Sequence, residues 1–317
     1  MTRARYAVHV IDLHTHSTFS DGSDTPAELA ERAHHLGLHA IALTDHDTTA
    51  SHDEMADACA RFDLELVPGV EISLIDTTFP RHAANGDPQP RGVHLLAYFV
   101  PLAPEHPVQQ FLARLRRERA ERNQRLVQRL HELGFERLTL ERVRAHAQHD
   151  EGVGRPHFAA AMFELHPEIV GERTPQTWSR LFDDWLGSAG RAYVPKTTLT
   201  LEDVVDVARG SRTVLSLAHP LLNYLSDASA ARVEAEMPAI LASLRARGIA
   251  GVEAHYGGSN AATRALMLKL TRDAGLIPTG GSDYHGHFKE DVSLGVGHSG
   301  DLRVPDEVLE ELRAARD

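Results

Sequence analysis

Two rhythms of apolar residues alternate along the chain. Short β-prone runs predict strands: Val10 to Leu13, Ala40 to Leu43, Leu64 into Ser73, Val93 to Val100, Thr213 to Ala218, Ile249 to Tyr256 and Leu276 to Thr279. Between most of them the apolar spacing becomes three and four, the period of an amphipathic helix. The first helix is well marked, with Thr25 as N-cap, Pro26 at its first position, Glu28 completing a capping box and Gly37 as the stop. Strand, helix and strand make a βαβ unit, which places loops at the carboxyl ends of parallel strands. Further helices are predicted over 51–62, 200–210, 230–247, 259–274 and 305–316.

Two stretches break the pattern. From Asp76 to Gly92 the composition turns to Pro, Asn, Gly, Asp and Arg without periodicity, which predicts an irregular surface excursion between two strands. From about Pro104 to Arg191 the strands disappear, and helices are predicted at 108–133, 139–148, 155–165 and 174–187. An all-helical insert in an α/β chain reads as a cap. The organisation is therefore 1–103 with 192–317 as one catalytic unit and 104–191 as a helical insertion domain. The first of these helices carries Arg114, Arg116, Arg117, Arg119, Arg122, Arg125 and Arg129, a run expected to be a solvated face.

Charge and composition narrow the function. The 317 residues hold 33 Lys and Arg against 45 Asp and Glu, a formal charge of −12, which argues against a nucleic-acid-coating or membrane-surface protein. A small anionic substrate stays compatible, because bound cations reverse the local field. Histidine is the outlier, 21 residues against one cysteine, Cys59, which suits nitrogen and oxygen metal sites and speaks against zinc ribbons or disulfides. With no signal-like N-terminus or membrane-length apolar run, a cytoplasmic location is expected.

The candidate chemistry sits at strand ends. His14 and His16 share a face of the first strand, and Asp21 follows in a Ser-Asp-Gly turn. His46 closes the second strand, Glu71 lies among apolar neighbours on the third, and His94 heads the fourth. His219 ends the fifth, and Asp283 and His285 follow the last. Each alone has a structural reading: a strand histidine, a buried ion pair or a core imidazole. Together they form a donor set for borderline divalent metals. Arg155, in Gly152-Val-Gly-Arg-Pro-His157, opens a helix at a glycine-rich turn, and Lys196 stands where the chain leaves the insert. Both suit phosphate. Of the other histidines, His34, His35, His52, His131, His82, His106, His287 and His298 are expected on the surface, and His157 beside Arg155 is kept as a candidate.

The motifs Asp12-Leu-His14-Thr-His16-Ser17, Thr44-Asp45-His46, Gly69-Val-Glu71, His94, Ala218-His219-Pro220 and Gly281-Ser-Asp283-Tyr284-His285-Gly286 resemble those of the polymerase and histidinol phosphatase (PHP) superfamily, in order. The resemblance implies a distorted (β/α)7 barrel with a two- or three-metal cluster of manganese, iron or zinc. By position, one metal would take His14, His16, Glu71 and Asp283. A second would take Glu71 as bridge with His94 and His219, and a third Asp21, His46 and His285. Asp21, His46, Glu71, His219 and His285 would be the catalytic members of this set. Arg155, His157, Lys196 and Tyr284 would bind substrate, and Asp45, Asp47, His255 and Tyr284 would orient ligand imidazoles.

The insert and its motifs look most like nucleoside 3′,5′-bisphosphate phosphatases and the related 5′-3′ exoribonucleases. The implied activity is phosphoester hydrolysis by metal-activated hydroxide on a small nucleotide or a short single-stranded RNA 5′ end. Histidinol phosphate is an alternative substrate. A metal-dependent amidohydrolase and a non-catalytic metal-binding module are the readings from other classes; the cationic Arg155 and Lys196 favour phosphate.

Overall fold

In this computed structural model, the described residues are 10–82, 87–149, 152–187, 190–194, 198–226 and 228–316. Eight strands form one sheet: β1 (Val10–Thr15), β2 (Leu38–Leu43), β3 (Glu65–His82), β4 (Pro88–Tyr98), β5 (Val214–Leu217), β6 (Gly251–Tyr256), β7 (Ile277–Gly281) and β8 (Val304–Pro305). Their spatial order, β7-β6-β5-β4-β3-β2-β1-β8, follows the chain except that β8 flanks β1. β1, β2 and β3 pair in parallel, as do β5, β6 and β7, while β4 runs antiparallel to both its neighbours.

The sheet nearly closes into a distorted barrel. Past the end of β7, Asp283 N donates to His14 O at 2.9 Å and His16 N donates to Tyr284 O at 3.0 Å, joining the last long strand to the first. Gly281 permits this approach, because a Cβ there would lie 2.4 Å from the backbone nitrogen of His14.

Alternation along β4 shows how the sheet buries both faces. Leu95 and Ala97 pack with Val70, Ile72 and Leu74 of β3 and with helices α8 (Leu201–Ala208), α10 (Ala230–Ala246) and α11 (Ala261–Asp273). Leu96 and Tyr98 belong instead to a cluster with Ile11, Leu13 and Val67, joined by Val308, Leu309 and Leu312 of α12 (Glu307–Ala314). The helices α1 (Pro26–Leu36) and α2 (His52–Arg61) cover Ile41 and Leu43. Thr25 and Glu28 make the predicted capping box, and Gly37 closes α1 at φ 72°.

Between β4 and β5 run α3 (Pro107–Glu132), α4 (Leu140–Arg144), α5 (Arg155–Leu165), α6 (Pro167–Val170) and α7 (Pro175–Leu181). The last continues as a wider π-helical turn, Phe182–Leu186. These elements share their own apolar core, with Leu126, Leu130, Phe135, Phe158, Met162 and Trp185 at its centre.

Three sequence expectations are corrected. The stretch after Asp76 is no irregular loop: β3 and β4 extend as an antiparallel ribbon, with Arg81 opposite Gln89 and His82 opposite Pro88. Thr77, Thr78 and Phe79 are strand formers, and Pro88 and Pro90 are tolerated because a two-stranded ribbon leaves outward N–H positions unpaired. The helix expected over 139–148 shortens to one turn and a half, and a short helix α9 (Pro220–Tyr224) follows His219 unannounced. Among the described residues no helix is long and apolar enough to cross a membrane.

Candidate active site

Barrel closure brings nine side chains from both ends of the chain to one spot. His14 Nε2 lies 3.1 Å from His16 Nε2, 3.3 Å from Glu71 Oε2 and 3.6 Å from Asp283 Oδ1. His16 Nε2 in turn lies 3.2 Å from Glu71 Oε2 and 3.6 Å from Asp283 Oδ1. These spacings match the ligand–ligand edges of a tetrahedral shell, about 3.4 Å for metal–ligand bonds near 2.1 Å. The other oxygen of Glu71, Oε1, lies 2.8 Å from His94 Nδ1 and 2.9 Å from His219 Nε2. Asp21 faces a third group: His285 Nε2 at 3.4 Å, His46 Nε2 at 3.6 Å and His16 Nδ1 at 3.7 Å. His46 Nδ1 returns to Glu71 Oε2 at 3.1 Å, so Glu71 touches every part of the cluster.

The donor chemistry fits divalent cations. Imidazole nitrogens and carboxylate oxygens crowd one centre, and Asp21 Oδ1 within it is buried without a hydrogen-bond partner. Burial by itself would raise the carboxyls of Asp21 and Glu71, but the surrounding imidazoles, His46 foremost, hold both well below the usual range. Asp283 is likewise lowered: burial opposes, while Lys289, His14 and His285 outweigh it. For His14, burial disfavours the cation, yet Glu253, Glu71 and Asp283 together raise it well above an ordinary imidazole. A cluster this rich in buried anionic oxygen calls for positive charge at its centre. Three overlapping groups could hold it: His16, Asp21, His46 and His285; His14, His16 and Glu71; His46, Glu71 and His94.

Local backbone geometry sets the ligands in place. His219 and Asp283 adopt positive φ, 25° and 59°, conformations that cost L-residues energy and gather at functional sites. Glu253 secures two of the groups at once. Its Oε1 accepts the Nδ1 proton of His14 at 2.8 Å, which turns the Nε2 lone pair inward, and its Oε2 accepts His219 N at 2.7 Å. Asp12 holds the β7 end through Ser282 N at 2.9 Å and Ser282 Oγ at 2.6 Å. Tyr256 and Lys289 both donate to Asp283 Oδ2, at 3.0 and 2.6 Å, leaving Oδ1 to the histidines.

A cavity of about 990 Å³ opens above the cluster. Its floor is Asp21, His46, Glu71, His94, His219, Asp283 and His285; its roof comes from the helical segment, with Arg119, Arg122, Arg155 and Arg173. The arginine run is therefore only partly a solvated face. Arg119 and Arg122 are buried; Arg119 donates to Asp47 Oδ2 and Arg116 donates to Asp47 O at 3.1 Å. Burial and the charges of Arg155 and Arg119 push the Arg122 guanidinium down to about 9. Burial lowers Arg155 as well, while Asp21 opposes that shift. The Arg155 side chain makes no hydrogen bond to any described residue. Its turn rests on the first loop, because Gly152 lies so close that a Cβ would meet Ser20 O at 2.6 Å.

Other expected residues lie elsewhere. Tyr284 points away from the cavity and donates to Asp24 Oδ2 at 2.9 Å, among the α1 and α2 side chains. His255 is pushed down to about 4 by burial and by Arg264 and Arg272, and it is Glu253, two residues earlier, that orients an imidazole. Asp45 accepts from Ser17, Ser20 and Ser51, and Asp47 accepts from Ser73 N at 2.7 Å, so both brace loops. His157 caps α5 by accepting Gly154 N at 3.0 Å, is held down to about 4 chiefly by burial, and lines a smaller adjoining cavity of about 130 Å³ that shares Arg173 and Phe288 with the main one. His52, expected on the surface, is buried and accepts Gly69 N at 3.1 Å. Lys196 lies outside the described residues.

Glu253, Tyr256, Lys289, Arg119 and Arg122 escaped the sequence reading. A carboxylate in the buried strand Val252-Glu-Ala-His255 was the one available signal, of the same kind that singled out Glu71.

Residues 12–174 match the PHP domain family. The 5′-3′ exoribonuclease Rnm of Escherichia coli is 32% identical over 223 residues, 69% of this chain and 68% of its own. The 3′,5′-nucleoside bisphosphate phosphatase of Chromobacterium violaceum is 28% identical over 295 residues, 92% of each chain. A solved structure from Bifidobacterium adolescentis, a candidate metal-dependent phosphoesterase, superposes with a TM-score of 0.75 at 29% identity, covering 97% of this chain and 96% of that one. With strand-end donors converging on one centre, and sequence and architecture agreeing over most of its length, the chain belongs to the PHP domain family of metal-dependent phosphoesterases.

Proposed function

We propose that this phosphoesterase removes the 3′-phosphate from nucleoside 3′,5′-bisphosphates, with short RNA 5′ ends as a second substrate. The observation that carries this reading is Arg155. Its guanidinium lines the cavity, next to Asp21 and close enough to Arg122 and Arg119 to be felt electrostatically, and no described residue accepts its protons. Five unclaimed donors facing a donor cluster suit a second phosphate on the same substrate. The names of the Chromobacterium violaceum and Escherichia coli relatives point to the same two substrates.

We assign His14, His16, Asp21, His46, Glu71, His94, His219, Asp283 and His285 to two or three divalent ions. Manganese, iron and zinc all suit such mixed nitrogen and oxygen donors. When bound, those cations activate water and neutralise phosphate oxygens for in-line displacement. The remaining work falls to the chain. Glu253 keeps the His14 lone pair turned inward, Lys289 and Tyr256 fix Asp283, and the arginine roof orients the non-reacting phosphate. The helical segment closes over the substrate and limits water.

The test is phosphate release from adenosine 3′,5′-bisphosphate, a 5′-phosphorylated oligoribonucleotide and histidinol phosphate, with manganese, iron or zinc added back to chelated protein. Preferred turnover of the bisphosphate is expected. Preference for histidinol phosphate, or hydrolysis of simple amides alone, would replace this reading.

A further inference from the structure

Besides its charges, the cavity wall carries aromatic surface that the hydrolytic chemistry does not use. Trp178 on α7, Phe182 at the start of the π-helical turn and Phe288 after β7 all line it, and all three are only partly buried. Their rings form a connected group. Trp178 and Phe288 lie 6.3 Å apart between centroids with planes 23° from parallel, and Phe182 is tilted 53° to Trp178 at 5.7 Å. Phe163, buried behind them, stacks on Trp178 at 5.9 Å and 13°, bracing the indole from the helical core. The Arg173 guanidinium sits 4.7 Å from the Trp178 centroid, supplying a cation beside a planar face. The group spans both lobes, since Trp178 and Phe182 belong to the helical segment and Phe288 to the barrel.

We infer that Trp178, Phe182 and Phe288 form a stacking platform for the nucleobase of the substrate. This assignment rests on the nucleotide reading above and adds to it a determinant of specificity. Partly exposed rings within a cavity are costly in water, and a planar heteroaromatic ligand recovers that surface. The same cavity joins a donor cluster, an arginine roof and these aromatic faces, the three chemistries a nucleoside bisphosphate presents: a scissile phosphate, a second phosphate and a base. A volume of about 990 Å³ leaves room for the base beyond the phosphates.

The test compares adenosine 3′,5′-bisphosphate with the abasic ribose 3,5-bisphosphate, which keeps both phosphates and lacks the ring. The wild-type enzyme is expected to favour the nucleotide in kcat/KM by about tenfold or more, the order found when a stacked base is lost. Trp178→Ala should remove most of that preference through KM, leave the abasic substrate within about twofold, and be rescued by Trp178→Phe. Phe288→Ala, on the opposite lobe, should act in the same direction and keeps the inference testable if Trp178→Ala fails to fold. Equal wild-type cleavage of both compounds, or variants that depress both equally, would overturn the platform while leaving the bisphosphate reading intact. Cleavage of neither, with other phosphomonoesters hydrolysed, would remove both.

Discussion

The floor and the roof of the cavity are built on opposite plans. The floor consists of side chains on strand ends, locked by closure of the barrel and by carboxylates such as Glu253 and Asp12. The roof consists of long cationic and aromatic side chains from the helical segment that line the open cavity: Arg119 and Arg122 are buried and bonded, Arg155, Trp178 and Phe182 are only partly buried, and Arg173 is exposed. A rigid floor suits chemistry that must hold ligand atoms to a few tenths of an ångström. A roof of arginines and rings suits recognition, where charge and planar surface count for more than fixed distance. Floor variants should therefore change turnover, and roof variants should change affinity.

The sharpest test of that division is Glu71→Gln. Removing the charge shared by all parts of the cluster should lower kcat by about 1,000-fold or more and reduce bound cation, read by elemental analysis. Retained metal with a raised KM alone would erase the distinction between floor and roof. Next comes Glu253→Gln, which deprives His14 Nδ1 of its carboxylate partner and should cost about 10- to 100-fold in metal affinity, measured by competition with a chelator. Arg155→Met should raise KM for the bisphosphate by about tenfold with kcat nearly unchanged, and should have a smaller effect on a substrate with one phosphate.

The smallest effect concerns Cys59, on the buried face of α2 and outside the cavity lining. Burial pushes its thiol up to about 11, so the thiolate is scarce at pH 8 and thiol reagents should label it only after unfolding. The sign follows: the fold favours the protonated thiol, so this contribution to stability is full below about 8.5 and fades as pH rises toward 11. Chelation should leave the slow labelling unchanged if the metal site and the barrel core are separable.

The same contrast governs what could be read before the structure. Most floor residues were legible because they stand in or beside an apolar run, so the motif and the strand announce each other: His14 after Leu13, His94 before Leu95, His219 after Ala218. Of the roof, Arg155 stood out at its glycine-rich turn, whereas the arginines of α3 did not. Arg119 and Arg122 look like any solvated helix face in one dimension, and only the docking of α3 against Asp47 and Val194 buries them. Tyr284 misled for a related reason. It sits between two cluster residues, but it lies past the end of β7, directly after Asp283 at φ 59°, and its side chain goes to Asp24. The ribbon beyond Asp76 was obscured because its prolines resemble loop punctuation, and the two-stranded extension buries no residue fully, so no apolar face marks it in the sequence.

The bonds that tie Asp283 to His14 and His16 to Tyr284 also join the parts of the donor set that lie farthest apart along the chain. A ribosome delivers His14 and His16 some 270 residues before the closing segment, so a nascent chain without that segment carries most of these donors yet cannot assemble the full cage. Completing the donor set therefore requires the segment after β7, and a fragment truncated before β7 would lack Asp283 and His285.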